Sequence, residues 1–131
     1  MRPADEEEVM LLSGQQPKEA LTQSFEASEI VRTLSYRDQP LIMYGTARAP
    51  DNRGIVWGLG TTEIEKHTVP FLRVSRSEVE LLQGDFSQIF NLVHHANKLH
   101  LQWVKFVGFT LNDPITHPSG ELVVPISRSK K

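Results

Sequence analysis

A mixed α/β fold, one sheet with helices on both faces, is predicted by three observations. Two stretches of helical character come first, over residues 5–12 and 17–28. Three apolar runs joined by short turns follow, over residues 30–59. The stretch Ile89–Phe109, IFNLVHHANKLHLQWVKFVGF, then passes from strand to helix period and stops on glycine. The element order is ααβββαβαββ. Its strand–helix–strand connection sets residues 55–59 and 89–93 side by side in parallel, with the remaining neighbours antiparallel.

Taken in order, Met1–Ala4 reads as a shortened first strand. Asp5 and Glu8 have the spacing of a capping box, and Asp5, Glu6, Glu7 and Glu8 suit the positive end of a helix dipole. Val9, Met10 and Leu12 give that helix an apolar side before Ser13-Gly14 ends it. Pro17 fits the first position of a second helix, where its missing N–H costs nothing. Ala20, Leu21, Ser24, Phe25 and Ser28 form its expected inner face. Residues 30–36 and 41–47 read as strands around Arg37-Asp38-Gln39-Pro40. Pro50-Asp51-Asn52-Arg53-Gly54 turns the chain into a third strand, 55–59, which completes an antiparallel meander.

Thr62 and Glu65 repeat the capping-box spacing, but Pro70 forbids one continuous helix, so a short turn and a helix from about Thr68 are expected. Leu72, Val79 and Leu82 give that helix its buried stripe, and Gln83-Gly84-Asp85 ends it. Residues 89–93 form the next strand. Asn97 then has the residue type of a helix N-cap, and Leu99, Trp103 and Phe106 recur at helical spacing through a helix from Lys98 to Val107. Gly108 accepts the left-handed conformation of a helix stop. Thr110–Asn112 and Glu121–Ile126 pair across the loop 113–120, and Ser127–Lys131 is a short basic tail.

The 131 residues make a single domain, 1–131, large enough for one core. With 39% apolar and 23% charged residues the composition is that of a globular chain. A net charge of −2 gives no general attraction for nucleic acid. The absence of cysteine excludes disulfides, thiolate nucleophiles and zinc–sulfur sites. No apolar run has the length of a membrane span, and the acidic opening MRPADEEE is unlike a signal peptide. His94 and His95 are neighbours on a strand and point to opposite faces, so they do not chelate one metal together. No metal site is expected. Arg73, Arg76, Lys98 and Lys105 are read as a solvated basic face.

The order of elements and the unit Asn97, His100, Val104, Gly108 and Phe109 resemble the GNAT acyltransferase fold. There the helix motif is Asn-x-x-Ala-x-x-x-Tyr-x-x-x-Gly-Phe. Arg2-Pro3-Ala4-Asp5 also looks like the family's opening. Three runs resemble a narrower group, the short GNAT-like internal virion proteins of short-tailed phages. They are Gly54-Ile55-Val56-Trp57-Gly58-Leu59-Gly60-Thr61, Phe71-Leu72-Arg73 with Ser75-Arg76, and Asn97, His100, Leu101, Trp103, Lys105, Gly108 and Phe109. In that group a histidine stands where the enzymes carry alanine, as His100 does here.

The resemblance implies an acetyl-CoA cleft in a splay between the two parallel strands, with Leu59, Thr61 and Asn97 as the cofactor-binding residues if acyl transfer is retained. The pyrophosphate would lie on a glycine-rich loop at a helix N-terminus. The corresponding stretch, EIEKHTVPF over residues 63–71, has no glycine, two glutamates and a proline. Val104 stands where the family's tyrosine gives its proton, and Tyr36 and Tyr44 lie elsewhere. The expectation is therefore a chain without catalytic residues or cofactor, serving in or on a phage virion with other virion proteins as partners after synthesis in the host cytoplasm. The alternatives are an acetyl-CoA-dependent N-acetyltransferase with an atypical loop, and a binder of a host protein.

Overall fold

The computed structural model describes residues 2–130. Two helices open the chain, α1 (Pro3–Ser13) and α2 (Pro17–Ala27), each with proline in its first turn. Three strands follow, β1 (Ser28–Tyr36), β2 (Gln39–Ala49) and β3 (Arg53–Gly60). A 3-10 turn (Thr62–Lys66) leads into α3 (Thr68–Gln83). The chain ends with β4 (Gln88–His94), α4 (Lys98–Phe106), the two-residue strands β5 (Thr110–Leu111) and β6 (Ile115–Thr116), and β7 (Leu122–Ser129).

The sheet runs β1-β2-β3-β4-β7-β5, with β6 also on β7. The expected parallel pair is present: Arg53, Gly54 and Ile55 face Gln88, Ile89 and Phe90. Every other pairing is antiparallel. Both meander turns are tighter than the sequence suggested. Arg37 and Asp38 have φ of 50° and 64°, and Asp51 and Asn52 have 64° and 57°. Two consecutive left-handed residues give the turn twist that matches two antiparallel strands. Pro40 and Gly54, expected in the turns, are strand residues instead.

The core lies between the sheet and α3 and α4. Leu41, Val79, Leu82, Ile89, Val93 and Val104 are essentially inaccessible. Leu72 packs against this core from its edge, and Phe71 takes the deeper place expected of it. α2 packs against β1 and β2. Its inner face is narrower than expected: Ala20 is buried, whereas Phe25 stands exposed.

Several local expectations are corrected. Residues 2–4 form no strand, because Pro3 starts a helix; Met1 lies outside the described residues. Asp5 and Glu8 do not cap α1, and no side chain caps the 3-10 turn at Thr62. The apolar side of α1 is not its buried side, since Met10 is exposed while Asp5 and Glu8 are inside. β7 runs on to Ser129 and takes Ser127 and Arg128 into the sheet. Arg128 Nη1 donates to Gln83 Oε1 at 2.8 Å, so its side chain is held against α3.

α4 stops as its sequence requires. Gly108 has φ of 99°, a conformation that L side chains rarely adopt, and Phe109 N–H donates back to Val104 O at 2.9 Å. A Cβ at Gly108 would meet only Arg128 Nε at 3.8 Å, so backbone strain and not crowding decides the outcome. Gly108→Ala should lower unfolding stability by about 1 kcal/mol or more. Urea denaturation reads this directly, and an unchanged midpoint with an unchanged slope would contradict it.

Candidate functional site

The inner side of α1 carries charge where a packed helix normally carries hydrocarbon. Arg2, Asp5 and Glu8 recur at three-residue spacing and are 7%, 3% and 6% exposed. Each is matched by a fixed partner on the body of the fold. Gly60 N–H, at the end of β3, donates to Asp5 Oδ2 at 2.9 Å, and Arg2 N–H donates to Gly60 O at 2.8 Å. Arg2 Nη1 donates to Asp5 Oδ1 and Arg2 Nε to Glu65 Oε1, both at 2.9 Å. His94 N–H, at the end of β4, donates to Glu8 Oε2 at 2.9 Å.

Asn97 closes this network and is 1% exposed. Its residue type suggested a helix cap, but it makes no capping bond to α4. Its amide instead donates to Asp5 Oδ1 at 2.9 Å and to Glu8 Oε2 at 3.3 Å. The physical reason is competition. Two buried carboxylates need donors more than the first turn of α4 does, because an unmatched charge inside a protein is far more costly than an uncapped helix end.

His100, one turn into α4, completes the set, with Nδ1 3.0 Å from Glu8 Oε1. A carboxylate can only accept, so Nδ1 carries the proton of this bond. Burial alone would lower the His100 pKa. The charge and hydrogen bond of Glu8, with the charge of Asp5, outweigh both burial and Arg2 and hold it above the ordinary value. Burial likewise works to raise Glu8. The charge of His100 and the bonds from His100, His94 and Asn97 override it and hold Glu8 below its ordinary value.

Beside this network lies a cleft of about 260 Å³. Its walls are apolar: Ile42 from β2, Ile64 from the 3-10 turn, Phe71 and Leu72 from α3, and Leu99, Trp103 and Phe106 from α4. Arg2, Asp5 and His100 form its polar end. Phe71 and Trp103 meet with ring centroids 5.5 Å apart, and the Arg76 guanidinium lies 4.3 Å from the Phe106 ring centroid. Gly58 and Gly60 line the cleft from β3. Leu59, between them, is paired with Met43 of β2 and is not among the lining residues. Thr61 Oγ1 donates to Pro40 O at 2.6 Å, and Asn97 sits behind the polar end. Of the three residues expected to hold a cofactor, none lines the cleft.

The tyrosines lie apart from it. Tyr44 donates its hydroxyl proton to Glu78 Oε2 at 2.7 Å, and burial together with Glu78 pushes its pKa well up. Tyr36 packs on His67, with ring centroids 4.8 Å apart. Val104, at the family's proton-donor position, is 1% exposed in the core. Sequence reasoning did not find the network itself. The available signal was the three-residue spacing of Arg2, Asp5 and Glu8, which puts charge on one side of a helix and displaces Met10 to solvent.

The pKa directions fix a pH window. The contribution of His100 is fully present below its ordinary 6.5 and is lost as pH rises through its raised folded value. That of Glu8 is present above its ordinary 4.5 and is lost as pH falls through its depressed folded value. The network should therefore stabilise the fold most between those two limits. Glu8→Ala should cost about 3 kcal/mol near pH 6, because it removes one partner of a buried charge pair and the acceptor of three buried donors. Chemical unfolding of wild type and His100→Gln across pH checks the window. A wild-type loss of stability above pH 6.5 that persists unchanged in His100→Gln would contradict the assignment.

No protein-family model matches the chain, and no curated protein matches it in sequence. Solved structures do match in fold. A Bacillus subtilis acetyltransferase in complex with CoA aligns with a TM-score of 0.68 at 10% identity, covering 100% of this chain and 94% of that one. A GNAT-family acetyltransferase from Streptococcus pneumoniae gives 0.66 at 10% identity over 94% and 79% of the two chains. The aminoglycoside acetyltransferase AAC(6')-Ib in complex with coenzyme A gives 0.62 at 14% identity over 83% and 70%. Element order, the short parallel pair and these alignments agree: the chain has the fold of the GNAT acetyltransferases.

Proposed function

We propose that this chain is a GNAT-fold protein that has lost acyl transfer and works through protein contacts, as a virion-associated or assembly protein of a short-tailed phage. The observation that carries the loss is the 3-10 turn between β3 and α3, where a phosphate cradle would be needed. Within that turn Ile64 N–H donates to Thr61 O and His67 N–H to Ile64 O, so these amides are already used. Pro70 has none to give, and Phe71 N–H is bonded to His67 O. Glu63 and Glu65 add negative charge where an anion would bind. The nearby cations are engaged with them: Lys66 lies 3.2 Å from Glu63 and Arg2 2.9 Å from Glu65. A pyrophosphate would meet the Glu63 and Glu65 carboxylates here, beside a helix start that lacks one N–H at Pro70.

The phage setting is supported by the sequence resemblance over residues 54–61, 71–76 and 97–109. Its partners are then other virion proteins, and the chain is made in the host cytoplasm and carried in the particle. A second reading, an acetyl-CoA-dependent N-acetyltransferase with an atypical loop, is favoured by one observation: the apolar cleft of about 260 Å³ beside the parting strands, with His100 at its polar end.

Calorimetry separates the two. Acetyl-CoA should show no saturable binding tighter than about 1 mM, roughly −4 kcal/mol. A micromolar dissociation constant would overturn the loss of the cofactor and promote the enzyme. Mass spectrometry of purified particles from a phage that encodes the chain tests the setting. The chain should be present in the particle, and its absence there together with a stable host-protein complex would favour the host-binding alternative.

A further inference from the structure

The parallel ladder between β3 and β4 ends at Ile55 and Phe90, and beyond that point the two strands part. At the start of the gap a side chain takes the place of the ladder. Asn91 Nδ2 donates to Val56 O of β3 at 2.6 Å, and Leu92 N–H of β4 donates to Asn91 Oδ1 at 2.7 Å. The Asn91 amide therefore stands in series between a carbonyl of one strand and an N–H of the other. In a continuous parallel pair those two groups would meet directly. The strands here are spread by the thickness of one planar amide, with a donor on one side and an acceptor on the other.

What remains of the gap holds about 10 Å³, the room of a single water. It is walled by Gly58, Asn91, His100, Trp103, Val104 and Phe109. Gly58, His100 and Trp103 also line the larger cleft, so the two spaces adjoin. Trp103 Nε1–H is buried and has no hydrogen-bond acceptor among the described residues. Buried donors normally find a partner, and a carbonyl entering the gap would be one.

We infer that the gap is a slot for an extended secondary amide and that Asn91 fills it, which makes Asn91 the residue that keeps such chains out. The inference deepens the reading above and rests on it, since it concerns the amide-bearing arm of an acyl thioester and not its phosphates. Removing the side chain exposes Val56 O and the Leu92 N–H to an incoming amide. Replacing it with an apolar side chain of similar size removes both hydrogen bonds but leaves the slot occupied.

Pantetheine tests this, because it carries two secondary amides and no phosphate, so the missing cradle does not enter. Asn91→Ala vacates the slot, and Asn91→Leu keeps it filled. Both lose the same two hydrogen bonds, so any general loss of stability is shared. Titrated into the 15N-labelled protein, pantetheine should shift the Leu92 amide and Trp103 indole signals in Asn91→Ala. Its dissociation constant there should be about tenfold or more below that of Asn91→Leu and of wild type. Asn91→Ser, which vacates much of the same space, carries the same expectation if Asn91→Ala does not fold. Equal binding by the opened and filled variants, or wild-type binding as tight as that of Asn91→Ala, would overturn the inference. Micromolar binding of acetyl-CoA to wild type overturns the earlier reading instead, so the two failures are told apart.

Discussion

The buried set of Arg2, Asp5, Glu8, Asn97 and His100 is the constraint on which the rest of this molecule depends. It joins α1 to the ends of β3 and β4 and to the first turn of α4, so four separate elements meet at one set of charges. Within it the two buried carboxylates face Arg2 and His100, whose protonated form Glu8 and Asp5 favour. Remove the His100 proton and one buried negative charge is left without compensation. Such clusters contribute little net stability compared with hydrocarbon of the same shape, yet they are costly to leave half-made. The set therefore specifies where α1 sits more than it strengthens the fold.

The same cluster shapes the cleft. In an apolar-walled cavity of this kind a few polar groups set what can bind. Here Arg2, Asp5 and His100 are the groups at the end, and Arg2 is already committed to Asp5 and Glu65. Glu65 brings the 3-10 turn to this same end, where the Ile64 and His67 N–H groups are bonded to Thr61 O and Ile64 O. The strand order is that of the acetyltransferase fold, and Arg2 and two amides of the 3-10 turn are bonded within the protein. Fold and activity are separable properties, and the residues at the site carry the argument about activity.

Much of this architecture was legible in the sequence because it rests on local rules. The strands around 30–36, 41–47, 55–59 and 89–93 follow from runs of apolar residues between turn formers, and Gly108 had to be a stop because few other residues take its conformation. The misreadings share one cause. Asp5, Glu8 and Asn97 are residue types that cap helices, and a local rule assigns them that role without sight of anything distant. Their true partners lie across the fold, so nothing within a few residues distinguishes a cap from a buried bond. Phe25 fails in the other direction: helical spacing put it inside, but the sheet edge leaves it uncovered. Asn91 gave no signal at all, since an asparagine in a strand reads as a weak strand former and its role exists only once two strands have parted.

The separation of those partners along the chain has a consequence for how the molecule is made. Asp5 waits for Gly60, 55 residues later, and Glu8 waits for His100, 92 residues later. α1 therefore leaves a ribosome before the partners it needs, and it is docked only after β4 and α4 exist. Contacts of such long range are slow to form because the intervening loop must first be closed. A helix with a greasy inner face would spend that interval as a target for misassociation. One whose inner face is arginine, aspartate and glutamate spends it hydrated, and it becomes committed only when its specific donors arrive.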